Sequence, residues 1–242
     1  MSSVLLMAAG VAAGWATYLH WMPCRGALLS GSVVRGYRYG PDFPEACLRR
    51  MDGGLPFAYL PEPSEQTAWA SELGVVAMVL AGTSWLVLSL GMRWSVRTTA
   101  VAALPAVATL MLAAMSAVAI AETGRGPDEH VSGWLLLAPE VAMVAAIVAI
   151  VAWQPEVTDR CWAVVLVMAW GSTAFGFVHL AAEYVVMVAF SDANWDVPPL
   201  TGYVTAATLV GTAALTIMLT LGSWPLPGSA GKGMSQTAPS QH

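Results

Sequence analysis

Residues 161–190 read CWAVVLVMAWGSTAFGFVHLAAEYVVMVAF. The run exceeds the roughly 20 mainly apolar residues that a membrane-crossing helix needs, and its only imidazole and carboxylate belong to His179 and Glu183. It is also too long and too continuously apolar for the alternating strands of an outer-membrane barrel. Five more such runs lie at about 4–22, 68–92, 98–121, 131–153 and 200–222. These runs predict an all-α membrane protein with six transmembrane helices.

Composition agrees. The 242 residues are 57% hydrophobic and only 10% charged, with a mean hydropathy of +0.64. Ordinary globular chains are about a quarter charged, so this chain could not solvate its own surface in water. A net charge of −5 argues against nucleic acid as a partner, because such surfaces are usually basic. The expected surroundings are the lipid bilayer, with other membrane subunits or further copies of the chain as protein partners. Nine Arg to one Lys, with abundant Ala, Val and Gly, suggests a GC-rich bacterial source.

The first run could be read as a signal peptide, but Met1-Ser2-Ser3 supplies no positive n-region. Trp15, Tyr18, His20, Trp21 and Met22 stand where small cleavage-site residues belong, and a retained helix is expected. Trp21, Trp69, Trp94, Trp134, Trp153, Trp162, Trp195 and Trp224 fall near span ends, as in an interfacial aromatic belt. Trp15, Trp85 and Trp170 lie deeper.

Of the connections, only 23–67 is long enough to be more than a tether. It holds Cys24 and Cys47, whereas Cys161 stands alone on the opposite side of the bundle. That distribution fits one oxidising and one reducing face, so a Cys24–Cys47 disulfide is expected to staple an extracytoplasmic loop. It would contribute about 3 kcal/mol in the chain-entropy model. No zinc-ligand spacing is present. A short helix is expected around 46–51, ended by Gly53-Gly54. A raw count of Arg favours the opposite orientation. The acid-free Arg93-Trp94-Ser95-Val96-Arg97 turn and the cysteines instead favour cytoplasmic termini in the plasma membrane. Residues 1–222 form the transmembrane domain in this reading, and 223–242 a disordered cytoplasmic tail.

Ser172, Gly176, His179 and Glu183 recur every three or four residues, which would place them on one face of a continuous helix. Intramembrane ionisable groups are costly and so mark candidate functional sites. Glu140 and Glu183 would each lie roughly 10–15 Å below the outer end of their helices and so could meet. Tyr18, His20 and Glu72 would sit nearer the surface. Two roles fit these groups. One is a proton relay or metal site built on Glu140, His179 and Glu183; the other, favoured, is hydrogen bonding that holds helices together. Gly10-x-x-x-Gly14 marks a close helix-packing face, with Ser172 and Gly176 as small packing residues on the fifth run. Pro105 and Pro139 should kink their spans, and the match of 104–108 to 138–142 hints at an inverted repeat.

Catalytic residues do not emerge. Phe175-x-x-x-His179 resembles the second motif of the CAAX-type intramembrane proteases. The chain has neither that family's Glu-Glu pair nor a later intramembrane histidine, so no protease activity is carried over. No Walker loop, Gly-x-Ser-x-Gly or Cys-x-x-Cys is present. No cofactor is predicted. The function expected is that of an accessory or scaffolding subunit of a membrane assembly. The alternatives are a small proton- or ion-coupled transporter using Glu140, His179 and Glu183, or a membrane-embedded metal or haem protein.

Overall fold

The computed structural model describes residues 1–24, 45, 47, 51, 68–92, 94–123, 133–154, 156–191 and 200–222. Among them the regular structure is helical: α1 (Ser2–His20), α2 (Ala68–Gly91), α3 (Val96–Ala102), α4 (Leu104–Thr123), α5 (Ala138–Trp153), α6 (Asp159–Ser172), α7 (Phe177–Ser191) and α8 (Tyr203–Thr220). Short 3-10 turns cover Met22–Cys24 and Gly133–Leu137. Five spans are long and apolar enough to cross a membrane, α3 and α4 together supplying one of them. The number becomes six if α6 and α7, bent by 71° across a short break, count as one. Length and hydropathy thus fit a membrane protein, and the expectation of six uninterrupted helices needs correction at the fifth run.

α1 packs between α2 and α8, while α6 lies against α8 and α2. α4 bridges α2 to α5, and α3 also lies on α5. α7 touches α8 and the 3-10 turn that leads into α5. The centre is built from small and flexible side chains: Leu6, Ala9 and Ala13 of α1, Met78 and Ala81 of α2, Met168 of α6 and Leu209 of α8 are all buried. Close approach replaces bulk at two points. A Cβ on Gly10 would fall 2.6 Å from Val210 Cγ2, and one on Gly171 would fall 2.5 Å from Thr212 Cγ2. Gly14 is looser, 3.7 Å from Ala206 on the same measure. On the outside, Val141, Val144, Val148 and Val151 form an exposed stripe along α5. Their three- and four-residue spacing gives that helix one continuous apolar face.

The proline expectations divide. Pro105 stands just after the discontinuity at Ala103 that separates α3 from α4. Beside it the Ala102 carbonyl accepts a hydrogen bond from the indole N–H of buried Trp85, at 2.6 Å. Pro139 does not kink a span; it sits in the first turn of α5, after the 3-10 turn. Proline is tolerated there because first-turn amides lack helical partners anyway. Ser95 and Thr158 cap α3 and α6 by accepting the amides of Thr98 and Cys161.

Cys24 and Cys47 form a disulfide with Cα atoms 5.0 Å apart, both cysteines buried. Glu45, Cys47 and Met51 are helical. The rest of the expected extracytoplasmic loop 23–67 and the tail 223–242 fall outside the described residues.

Candidate functional site

Residues 172–177 decide the site. The shared face expected for Ser172, Gly176, His179 and Glu183 does not form, because Thr173, Ala174, Phe175 and Gly176 leave the helix between α6 and α7. Local bonding explains the stop. The Thr173 hydroxyl turns back to the carbonyls of Ala169 and Trp170, and the amides of Ala174 and Gly176 close short turns onto Gly171 and Thr173. A new helix then begins, with first-turn amides that need acceptors.

Glu140 supplies one from α5. Its carboxylate faces the amides of Phe177, Val178 and His179, and Oε1 accepts from the Val178 N–H at 2.6 Å. Gly176 makes the approach possible, since a Cβ there would lie 2.5 Å from Glu140 Oε1 and 2.6 Å from Cδ. The other oxygen, Oε2, is buried and has no hydrogen-bond partner among the described residues.

Glu183 does the same for α8, and more completely. Oε1 accepts from the amides of Gly202 and, at 3.0 Å, Val204; Oε2 accepts from the amide and hydroxyl of Thr205, at 3.3 and 2.5 Å. The side chain is 0% exposed. The entry to α8 is shaped for it by two left-handed residues, Leu200 (φ 68°) and Gly202 (φ 113°). At Gly202 a Cβ would collide with Thr17 of α1. Trp21, 2% exposed, donates its indole N–H to the Thr201 carbonyl at 2.9 Å. Trp21 is therefore an internal strut between α1 and α8, not a member of a lipid-facing belt; Trp69 and Trp153, by contrast, are exposed.

Glu140 and Glu183 thus serve two different helix starts and exchange no hydrogen bond with each other. His179 is 7% exposed, and among the described residues neither ring nitrogen has a hydrogen-bond partner. Its ring lies 4.2 Å, centroid to centroid, from that of Trp170, tilted by 55°. His20 is buried edge-on against Trp21, Tyr18 stacks on Trp15, and Glu72 is exposed on α2. Ser172 is buried and turns its hydroxyl to the Ala169 carbonyl. Cys161 is free, its sulfur 3.9 Å from that of Met92. Among the described residues, no three His, Cys, Asp or Glu side chains converge as a metal site.

Sequence reasoning missed the partners of both carboxylates, the indole bonds of Trp85 and Trp21, and the tight approach at Gly171. The small and polar run Gly171-Ser172-Thr173 ahead of Gly176 was the available signal for the break. No family model, curated protein or solved structure matches this chain.

Proposed function

We propose that this chain is an accessory or scaffolding subunit of a plasma-membrane assembly, with both termini cytoplasmic and residues 23–67 outside. The observation that carries the reading is the joint at the start of α8. There Glu183 of α7, Thr17 of α1 and Trp21 at the end of α1 all close on residues 201–205. The buried Glu183 carboxylate is spent on joining α7 to the start of α8, where its two oxygens accept four hydrogen bonds. Polar groups used this way build a rigid apolar platform, and the exposed valine stripe of α5 offers it to lipid or to neighbouring helices. The orientation is supported by the disulfide in one connection and the lone Cys161 beyond it.

Purification from native membranes in mild detergent tests the role. Membrane subunits should co-purify in fixed proportion, and a monodisperse protein without partners would overturn it. Labelling intact cells with a membrane-impermeant thiol reagent tests the orientation, and modification of Cys161 would reverse it.

A further inference from the structure

We propose that the elbow between α6 and α7 is a proton-binding site, in which the Glu140 carboxylate and the His179 imidazole take up and release one proton. The inference stands apart from the scaffolding role and rests on polar capacity left over at the elbow. Glu183 is saturated by α8, but Glu140 uses one oxygen on α7 and leaves Oε2 buried and, among the described residues, unpartnered. His179, third residue of α7, is buried to 7% exposure with both nitrogens unpartnered among the same residues. A buried polar atom without a partner is destabilising, and two such groups at one helix start are hard to explain as packing. Ionisable groups held at that cost inside an apolar bundle mark function.

The chemistry needs no third component. An imidazole has one nitrogen that can accept a proton, and a carboxylate oxygen can accept another. The site alternates between holding one proton, on either group, and none. The proton comes from water and returns to it, with no other bond made or broken. Among the described residues, the elements packed around the elbow contribute few competitors: of the two helices packed on α5, α3 carries the exposed Arg97 and α4 carries Glu122 in its last turn. Glu183 stands one turn beyond His179 on the same helix but is engaged by Gly202, Val204 and Thr205. Tyr184 follows it on α7, and Tyr203 of α8 is exposed. α6 brings Trp170 to the ring, its own Asp159, Arg160 and Cys161 lying at its far end. The 3-10 turn Gly133–Leu137 carries no titratable side chain.

The test is nitrogen NMR of the full chain in liposomes with ring-labelled histidine. The His179 signal is assigned by its loss in His179→Gln. It should change form as the pH is varied over the range in which the helices persist, and in Glu140→Gln its midpoint should differ by about one pH unit, tenfold in proton affinity. The amide side chain of Glu140→Gln still offers a carbonyl oxygen to the Val178 N–H, so the cap survives while the proton-binding oxygen is removed. A His179 signal that is flat across the range, or titrates identically in Glu140→Gln, overturns the proposal. If Glu140→Gln does not fold, the carbonyl stretch of protonated Glu140, followed by infrared spectroscopy in wild type and His179→Gln, decides. A pH-dependent band displaced in the variant supports the site, and an absent or unmoved band sinks it.

Discussion

Removing the Glu183 carboxylate should unfasten α7 from α8, and the size of the effect depends on how it is removed. Glu183→Ala leaves the amides of Gly202, Val204 and Thr205 without their acceptor in a buried place. The Thr205 hydroxyl can turn to a carbonyl one turn back, as Thr17 and Thr216 do, so the amides carry the loss. At about 1 kcal/mol or more each, together with the lost side-chain packing, the cost is about 3–5 kcal/mol. For a chain of this length that is roughly a 10 °C fall in thermal midpoint. Glu183→Gln keeps one oxygen for Gly202 and Val204 but turns an NH2 toward the Thr205 amide, a donor facing a donor. The cost should be about 1–2 kcal/mol, because one bond is lost while the hydroxyl can reverse to accept. The assay is the midpoint of helical circular dichroism in one detergent, for wild type and both variants. The order wild type, Gln, Ala is required. Equal midpoints for Gln and Ala, or an Ala variant within about 1 kcal/mol of wild type, would refute the capping argument.

Three further outcomes follow from the same geometry. Gly176→Ala pushes a methyl group into Glu140 and should cost about 1–2 kcal/mol; the penalty should shrink in a Glu140→Ala background, where independent sites would simply add. Trp85→Phe keeps most of the buried ring but drops the bond to Ala102, for an expected loss of about 1–3 kcal/mol by chemical unfolding; an unchanged midpoint would show that the carbonyl is otherwise satisfied. Replacing Cys24 and Cys47 together by Ser should remove about 3 kcal/mol, matched by wild type under reductant; if reductant leaves the wild-type midpoint unmoved, the bridge does not stabilise the fold.

The helices were legible because apolar length is a local property, and each run announced itself without reference to the others. The disulfide was legible for a similar reason, since two cysteines in one connection leave little choice. The site was not. Glu140 meets a residue 38 positions away, and Glu183 reaches 19 to 22 positions along. A repeating three-or-four spacing assumes that the helix continues, and residues 173–176 break that assumption. Gly171-Ser172-Thr173 hinted at a break, but a glycine in an apolar run can equally space two helices or end one. The answer lay in a carboxylate on α5, which occupies the room that a side chain at Gly176 would fill. Trp21 misled for the same reason: proximity to a span end is what a lipid-facing belt and an internal strut have in common.

The capping of α8 by a side chain of α7 bears on the order in which the chain can be built into a bilayer. While α7 is the last helix made, Glu183 has no amides to bind and faces hydrocarbon at about 2.5–3.5 kcal/mol on the insertion scale. Arrival of α8 cancels that cost and satisfies its own first turn in the same act. The two helices are therefore expected to insert as one unit, and a truncation before residue 203 would leave an exposed charge or a bound proton where α8 otherwise makes a joint.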